Sequence, residues 1–210
     1  SRGISHMEAN EAQVLMDTLR RPAPWRMVRT AASTRSSAGV TACSNWAPAA
    51  LYRRYLVTHD KTFLTNLLDA FIADYQGWVQ EQGTESGLFW QYDVRDGMEE
   101  AISGGRRVRN LRPPLNSYLY ANAVAISNVA ALAGRDETAR KYAEEATRLK
   151  SLIQELLWDS DAEFFKVRRP DGTPADVREE IGFIPWYFSL PTPGYEQAWK
   201  QLLDPQGFKA

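Results

Sequence analysis

Tyr118-Leu-Tyr-Ala-Asn-Ala-Val-Ala-Ile-Ser-Asn-Val-Ala-Ala-Leu132 runs into Gly134-Arg-Asp136, and a second periodic stretch follows at once. The first part is apolar and alanine-rich, which predicts a helix ending at Gly134. The second spaces Ala139, Tyr142, Ala143, Ala146, Leu149, Leu152, Ile153, Leu156 and Leu157 at helical steps, with Asp136 as its expected cap. Two helices joined by so short a turn make a helical hairpin.

The same design stands upstream. Ala49, Ala50, Leu51, Tyr52, Tyr55 and Leu56 form an apolar face behind Pro48, a residue suited to a first helical turn. Beyond His59-Asp60, the residues Phe63, Leu64, Leu67, Leu68, Phe71, Ile72, Tyr75, Trp78 and Val79 predict one amphipathic helix. That helix is expected to end at Gln82-Gly83, with glycine as its C-cap. The turns at 58–62 and 134–138 hold equivalent places, about 76 residues apart. That spacing is too long for a tetratricopeptide-type array with its period of about 34. The unit is therefore a helical hairpin followed by a long excursion, and the fold class is mainly α.

The excursions carry the unusual residues. The first covers 87–114. The second covers 160–180, where Glu163-Phe-Phe-Lys-Val-Arg168 and the turn dipeptide Asp171-Gly172 predict a small β-hairpin. Two short helices are expected near 182–190 and 195–203. Residues 1–45 differ in kind: no acid occurs between Asp17 and Asp60, and 29–39 has no periodicity. The chain thus divides into an irregular segment, 1–45, and a helical domain, 46–210.

Bulk composition narrows the function. The chain has 210 residues, with 25 Lys plus Arg against 26 Asp plus Glu and a net charge of −1. So even a balance leaves no electrostatic footprint for nucleic acid or for an anionic membrane. No apolar run is long enough to span a bilayer, and no signal-type block stands out. Cys43 is the only cysteine, so no intrachain disulfide forms and the compartment stays undetermined. His6 and His59 are far apart in sequence, which argues against a His/Cys metal site. No glycine-rich phosphate loop is present, and no cofactor is expected.

Glycoside hydrolysis needs two carboxyl groups, flat apolar platforms for sugar rings and polar forks for hydroxyls. Trp90-Gln-Tyr-Asp-Val-Arg-Asp-Gly-Met-Glu-Glu100 offers all of these. Asp93, Asp96, Glu99 and Glu100 are acidic, Arg95 is a fork, and Trp90 and Tyr92 are platforms. The alternative is a solvated loop whose acids pair with Arg106, Arg107 and Arg109. The end of the second excursion and the residues that follow it repeat the mixture in Glu179, Glu180 and Trp186. Glu179 and Glu180 either face the same cavity as Glu99 or complement a helix dipole, the latter favoured for one of the two.

At this point the residues resemble a known family. Asp96-Gly-Met-Glu-Glu100, Leu115-Asn-Ser-Tyr-Leu-Tyr120, the Gly134-Arg-Asp turn, Leu157-Trp-Asp159 and Leu203-Asp-Pro-Gln-Gly-Phe208 resemble the six-hairpin glycosidases. The nearest group is that of the processing α-glucosidases and mannosylglycerate hydrolases, and the resemblance covers 46–210. It implies an (α/α)6 toroid and inverting hydrolysis of α-linked glucosides or mannosides. The family's general acid lands on Glu99, where relatives have Asp. Glu100-Ala101 replaces the Asn-Ser that follows in relatives, making Glu100 a competing candidate. Pro114 stands where relatives have an acid.

The substrate contacts implied are Trp90, Tyr92, Asp93, Arg95, Asp96, Asn116, Glu179 and Trp186. Twelve helices need well over 300 residues at ordinary lengths of about 10–14 each, so the chain is expected to hold about half the hairpins. The family's general base is expected beyond Ala210, and the chain alone is expected to have little or no activity. An open partial toroid would expose apolar faces, which implies self-association. Two rivals remain: a non-catalytic carbohydrate-binding relative, and a helical scaffold for protein interaction.

Overall fold

Helix α1, Ala47–Thr58, begins with Pro48 in its first turn and ends at His59, whose left-handed backbone (φ 55°) lets its N–H reach the carbonyl of Tyr55 at 2.8 Å. The computed structural model describes residues 46–93, 101–103, 105 and 107–208, which belong to the unit Ala42–Ala210. Asp60 then opens α2, Lys61–Thr65, its carboxylate accepting from the Phe63 N–H at 3.0 Å.

The single helix expected from here to Gly83 is in fact two. Asn66 and Leu67 form a turn, and α3 runs Leu68–Gln82. The Thr65 hydroxyl donates to the Lys61 carbonyl at 3.0 Å, the kind of side-chain competition that weakens a helix from within. The break keeps Leu64, Leu67, Leu68 and Phe71 all buried. Gly83 is the C-cap, as expected, its N–H donating to the Val79 carbonyl at 3.2 Å. Its backbone is extended (φ −63°, ψ 144°), so it is not a left-handed cap. Glycine is needed there because a Cβ would lie 2.5 Å from the Val79 carbonyl oxygen.

Helix α4, Pro113–Leu132, starts five residues before Tyr118, with two prolines in a first turn that has no use for their missing N–H groups. Helix α5, Asp136–Leu156, follows after Gly134, which takes the left-handed turn conformation at φ 72°. Arg135 is the residue at its N-cap position. Asp136 and Glu137 instead sit in the first turn, where their charge complements the helix dipole. Helix α4 packs against α1, α2, α3 and α5, and its Leu115, Leu119, Ile126 and Val129 are fully buried. Being alanine-rich and uncharged, it can be covered on nearly every side. Helix α5 buries only the stripe Tyr142, Ala146, Leu149 and Ile153 and turns its charges outward.

Short ribbons form between and after the helix pairs. Strands β1, Trp90–Gln91, and β2, Asn110–Leu111, pair antiparallel, with Trp90 opposite Leu111 and Gln91 opposite Asn110. Strands β3, Trp158–Asp159, and β4, Phe164–Phe165, pair likewise. The turn at Asp171-Gly172 does close a hairpin, through a bridge between Arg168 and Pro174. The Glu163–Arg168 stretch, however, spends Phe164 and Phe165 on β3. A 3₁₀ turn, Glu180–Phe183, leads into α6, Ile184–Tyr187, and a second 3₁₀ segment spans Glu196–Leu202. Among the described residues no helix is long and apolar enough to cross a membrane.

Candidate active site

The wall that carries Trp90 is assembled from several directions. Gly87, at φ 82°, closes a tight turn in which the Leu88 carbonyl accepts both from the Thr84 N–H (2.9 Å) and from its hydroxyl (2.8 Å). Arg148 of α5 donates to the Gly87 carbonyl at 3.1 Å. Arg148 also forks onto Glu145, at 2.7 and 2.8 Å, and Glu145 accepts from the Tyr75 hydroxyl at 2.9 Å. The Arg148 hydrogen bonds hold the Glu145 carboxyl below the usual range despite partial burial. Burial, with the Glu145 charge behind it, pushes the Tyr75 phenol far up.

Next along the chain, Asn116 in the first turns of α4 grips Phe89. Its Oδ1 accepts from the Phe89 N–H at 2.8 Å, and its Nδ2 donates to the carbonyls of Phe89 and Arg112, each at 2.9 Å. Asn116 is fully buried, and its amide is taken up by backbone. Strand β2 is held on both sides: Leu111 pairs with Trp90, and also exchanges two backbone hydrogen bonds with Arg168, at 2.9 and 3.0 Å. The two excursions therefore share one ribbon.

On that ribbon Trp90 is half-buried, with Tyr92 tilted against it at 5.1 Å between centroids. The Arg109 guanidinium lies 4.6 Å from the centre of the Trp90 ring, a cation–π contact. Asp93 is enclosed, as are Gln91, Asn110, Ser103 and Arg112, and Arg112 donates to the Ser103 hydroxyl at 3.3 Å. Glu179 comes across from the second excursion. Its Oε1 accepts from the Ile102 N–H at 2.8 Å, and among the described residues its buried Oε2 has no partner. Glu180 is exposed in the first turn of the 3₁₀ segment, the dipole-complementing position.

Trp90, Tyr92 and Asp93 are thus held on or beside one ribbon, and Glu179 reaches the first excursion at Ile102. Trp186 is not part of that group: its ring contacts are with Phe165 (5.4 Å), Trp199 (5.3 Å) and Phe183 (6.2 Å), in an aromatic cluster behind β4. Arg95, Asp96, Glu99 and Glu100 lie outside the described residues. Sequence reasoning missed Asn110 and Arg112 altogether, and took Arg109 as an ion-pairing partner. The dipeptide Pro113-Pro114 was the available signal, since it places Arg112 just ahead of a helix. Among the described residues no group of three or more His, Cys, Asp or Glu is placed to hold a metal ion.

A mainly helical chain of paired helices, with its special residues on the connecting excursions, is the architecture of a toroid glycosidase in part. The chain belongs to the mannosylglycerate hydrolase MGH1-like glycoside hydrolase domain family, whose model matches residues 4–210. The match begins well before Trp46, where the resemblance is expected to begin. A solved structure described as a sialidase is 45% identical, with a TM-score of 0.77 over 80% of this chain and 16% of its own. The GH63 mannosylglycerate hydrolase from Thermus thermophilus, solved in complex with glucose, is 16% identical, with a TM-score of 0.68 over 90% of this chain and 57% of its own. The GH78 rhamnosidase of Bacillus sp. GL1 is 18% identical, with a TM-score of 0.64 over 76% of this chain and 17% of its own. The chain therefore spans between about a sixth and just over half of these relatives' length. No curated protein matches it.

Proposed function

We propose that this chain carries one wall of the active site of an inverting glycosidase acting on α-linked glucosides or mannosides. The observation that carries this reading is the family match over 4–210, supported by a ribbon that carries Trp90, Tyr92 and Asp93 and by the Glu179 contact with Ile102 from the second excursion. Glu99 donates the proton to the departing glycosidic oxygen, with Glu100 as the competing candidate. An inverting enzyme holds its two carboxyl groups about 6.5–9.5 Å apart to admit a water. Trp90 and Tyr92 stack on a sugar ring, Asp93, Arg95 and Asp96 orient its hydroxyls, and Glu179 closes the wall from the second excursion. Asn116 acts behind the wall by holding Phe89 in place. Trp186 supports the cluster that backs β4.

The test is a titration with D-glucose followed by tryptophan fluorescence, together with hydrolysis of 4-nitrophenyl α-glucoside by the chain and by a longer protein containing it. Trp90→Ala is expected to weaken glucose binding at least tenfold. Glu99→Gln is expected to abolish turnover in the active protein while its melting temperature holds, and Glu100→Gln to leave most of it. Loss with Glu100→Gln alone would move the acid to Glu100. No fluorescence response to glucose, mannose or their α-glycosides would sink the reading.

A second reading rests on exposed apolar side chains: Leu203 is 79% exposed, Ile102 75% and Val57 69%. Such surface supports self-association or docking of another protein. Sedimentation across a hundredfold range of concentration tests it, a constant monomer mass counting against self-association.

A further inference from the structure

Gln91, Asp93, Ser103, Asn110 and Arg112 are each at most 1% exposed, and all come from β1, β2 and the chain between or beside them. The rest of the described core is built chiefly from Leu, Ile, Val, Phe, Tyr and Ala. Polar groups are expensive to enclose, so their concentration on one ribbon calls for a reason beyond packing.

Asn110 is the sharpest case. It is fully buried, and among the described residues neither its Oδ1 nor its Nδ2 has a hydrogen-bond partner. An amide offers two donors and an acceptor, and here all of them are enclosed unused. The residue stands opposite Gln91 in the strand register. Its chain neighbour on one side, Arg109, lies on the Trp90 ring, and on the other side Leu111 is paired with Trp90. In a strand, a β-branched apolar side chain would satisfy local preference and leave no polar atom stranded. Stability alone therefore argues against asparagine at this position. Groups kept at a cost to stability are characteristic of sites that do work on a ligand.

We propose that Asn110 is a positioning residue of the candidate sugar site, its amide serving the polar wall of Gln91 and Asp93 when a sugar ring sits against Trp90 and Tyr92. This rests on the glycosidase reading above. The residue acts through the ribbon: Asn110 shares the face of Gln91, opposite to that of Trp90 and Leu111, and strand pairing ties it to the same two-residue ladder, so a hydrogen bond made by its amide sets the position of the platform from behind.

The experiment compares Asn110→Val with Asn110→Thr, which share one shape and differ in a single hydroxyl. Each is melted thermally and titrated with D-glucose by tryptophan fluorescence. Asn110→Val is expected to melt a few degrees higher than the unsubstituted chain and to bind glucose at least fivefold more weakly. Asn110→Thr, which restores a donor and an acceptor, is expected to recover binding to within about twofold. A lower melting point or failure to fold in Asn110→Val would make the amide a structural requirement and overturn the proposal. Equal glucose affinity in the Val and Thr variants would overturn it too, while leaving the glycosidase reading intact. If the unsubstituted chain itself gives no response to glucose, both readings fall together.

Discussion

Asn116 makes three buried hydrogen bonds to two backbone segments, so removing its amide takes a partner from Phe89 N–H, Phe89 C=O and Arg112 C=O at once, the last keeping the residue 116 backbone N–H at 3.4 Å. Each stranded group costs about 1–3 kcal/mol, and some relaxation is certain, so Asn116→Ala is expected to lose about 2–4 kcal/mol in urea unfolding. Asn116→Asp keeps the acceptor for Phe89 but turns a buried carboxylate oxygen toward two carbonyls, and is expected to cost at least as much. Gly87 is constrained differently. At φ 82° an L side chain is strained, and a Cβ there would meet an Arg148 guanidinium nitrogen at 2.3 Å. Gly87→Ala should therefore cost about 1–3 kcal/mol and loosen the turn that leads into Trp90. Neither residue betrayed its task in the sequence. Asn116 sat inside a recognisable motif and suggested a sugar contact, because a motif reports that a residue matters and not which atom it holds.

Among the helices, α5 carries the clearest pH response. Glu145 is held below its usual range, first by its hydrogen bonds to Arg148 and then, against the opposing effect of burial, by Tyr75. A carboxyl with a depressed folded-state pKa stabilises the fold above its unfolded value and loses that contribution as pH falls through the lower folded value. Stability should thus fall on acidification below about pH 4. Glu145→Gln should flatten that limb in urea titrations between pH 6 and 2.5. At α2, Asp60→Ala removes the N-cap and should cost about 1 kcal/mol. Helix existence and periodicity were legible throughout: the stripe Tyr142, Ala146, Leu149 and Ile153 is the buried face that the spacing predicted. The break at Asn66-Leu67 was not, because Leu64, Leu67, Leu68 and Phe71 keep helical spacing across it. Periodicity reports a buried face, and two helices can share one. The N-cap expected at Asp136 falls on Arg135 for a related reason, since residue type alone does not separate a cap from a neighbouring position.

Across the whole described chain, α4 is the common partner of α1, α2, α3 and α5. Ile126 lies fully buried on it, and Ile126→Ala is expected to cost about 2–5 kcal/mol, lowering the midpoint of unfolding observed by circular dichroism and by tryptophan fluorescence alike. Separate shifts in the two signals would show that the helices do not depend on α4 together. The family was legible from motif order, which survives wide divergence. The wall itself was only half legible. Sequence placed aromatic and acidic residues in both excursions, but whether Glu179 and Trp186 meet Trp90 depends on tertiary contacts between segments about 70–100 residues apart.

The ladder that joins those segments also limits how such a chain can be redesigned. Leu111 is paired to Trp90 on one side and to the Arg168 backbone on the other. A slip of one residue in a strand turns every side chain to the opposite face. Lengthening either excursion by a single residue near this ladder would thus exchange Trp90 with Gln91, pointing a tryptophan inward and an amide out. Transplanting one loop from a relative of different specificity should give misfolded or silent chimeras. The two excursions are better exchanged as a matched pair, with the Leu111 register carried over intact.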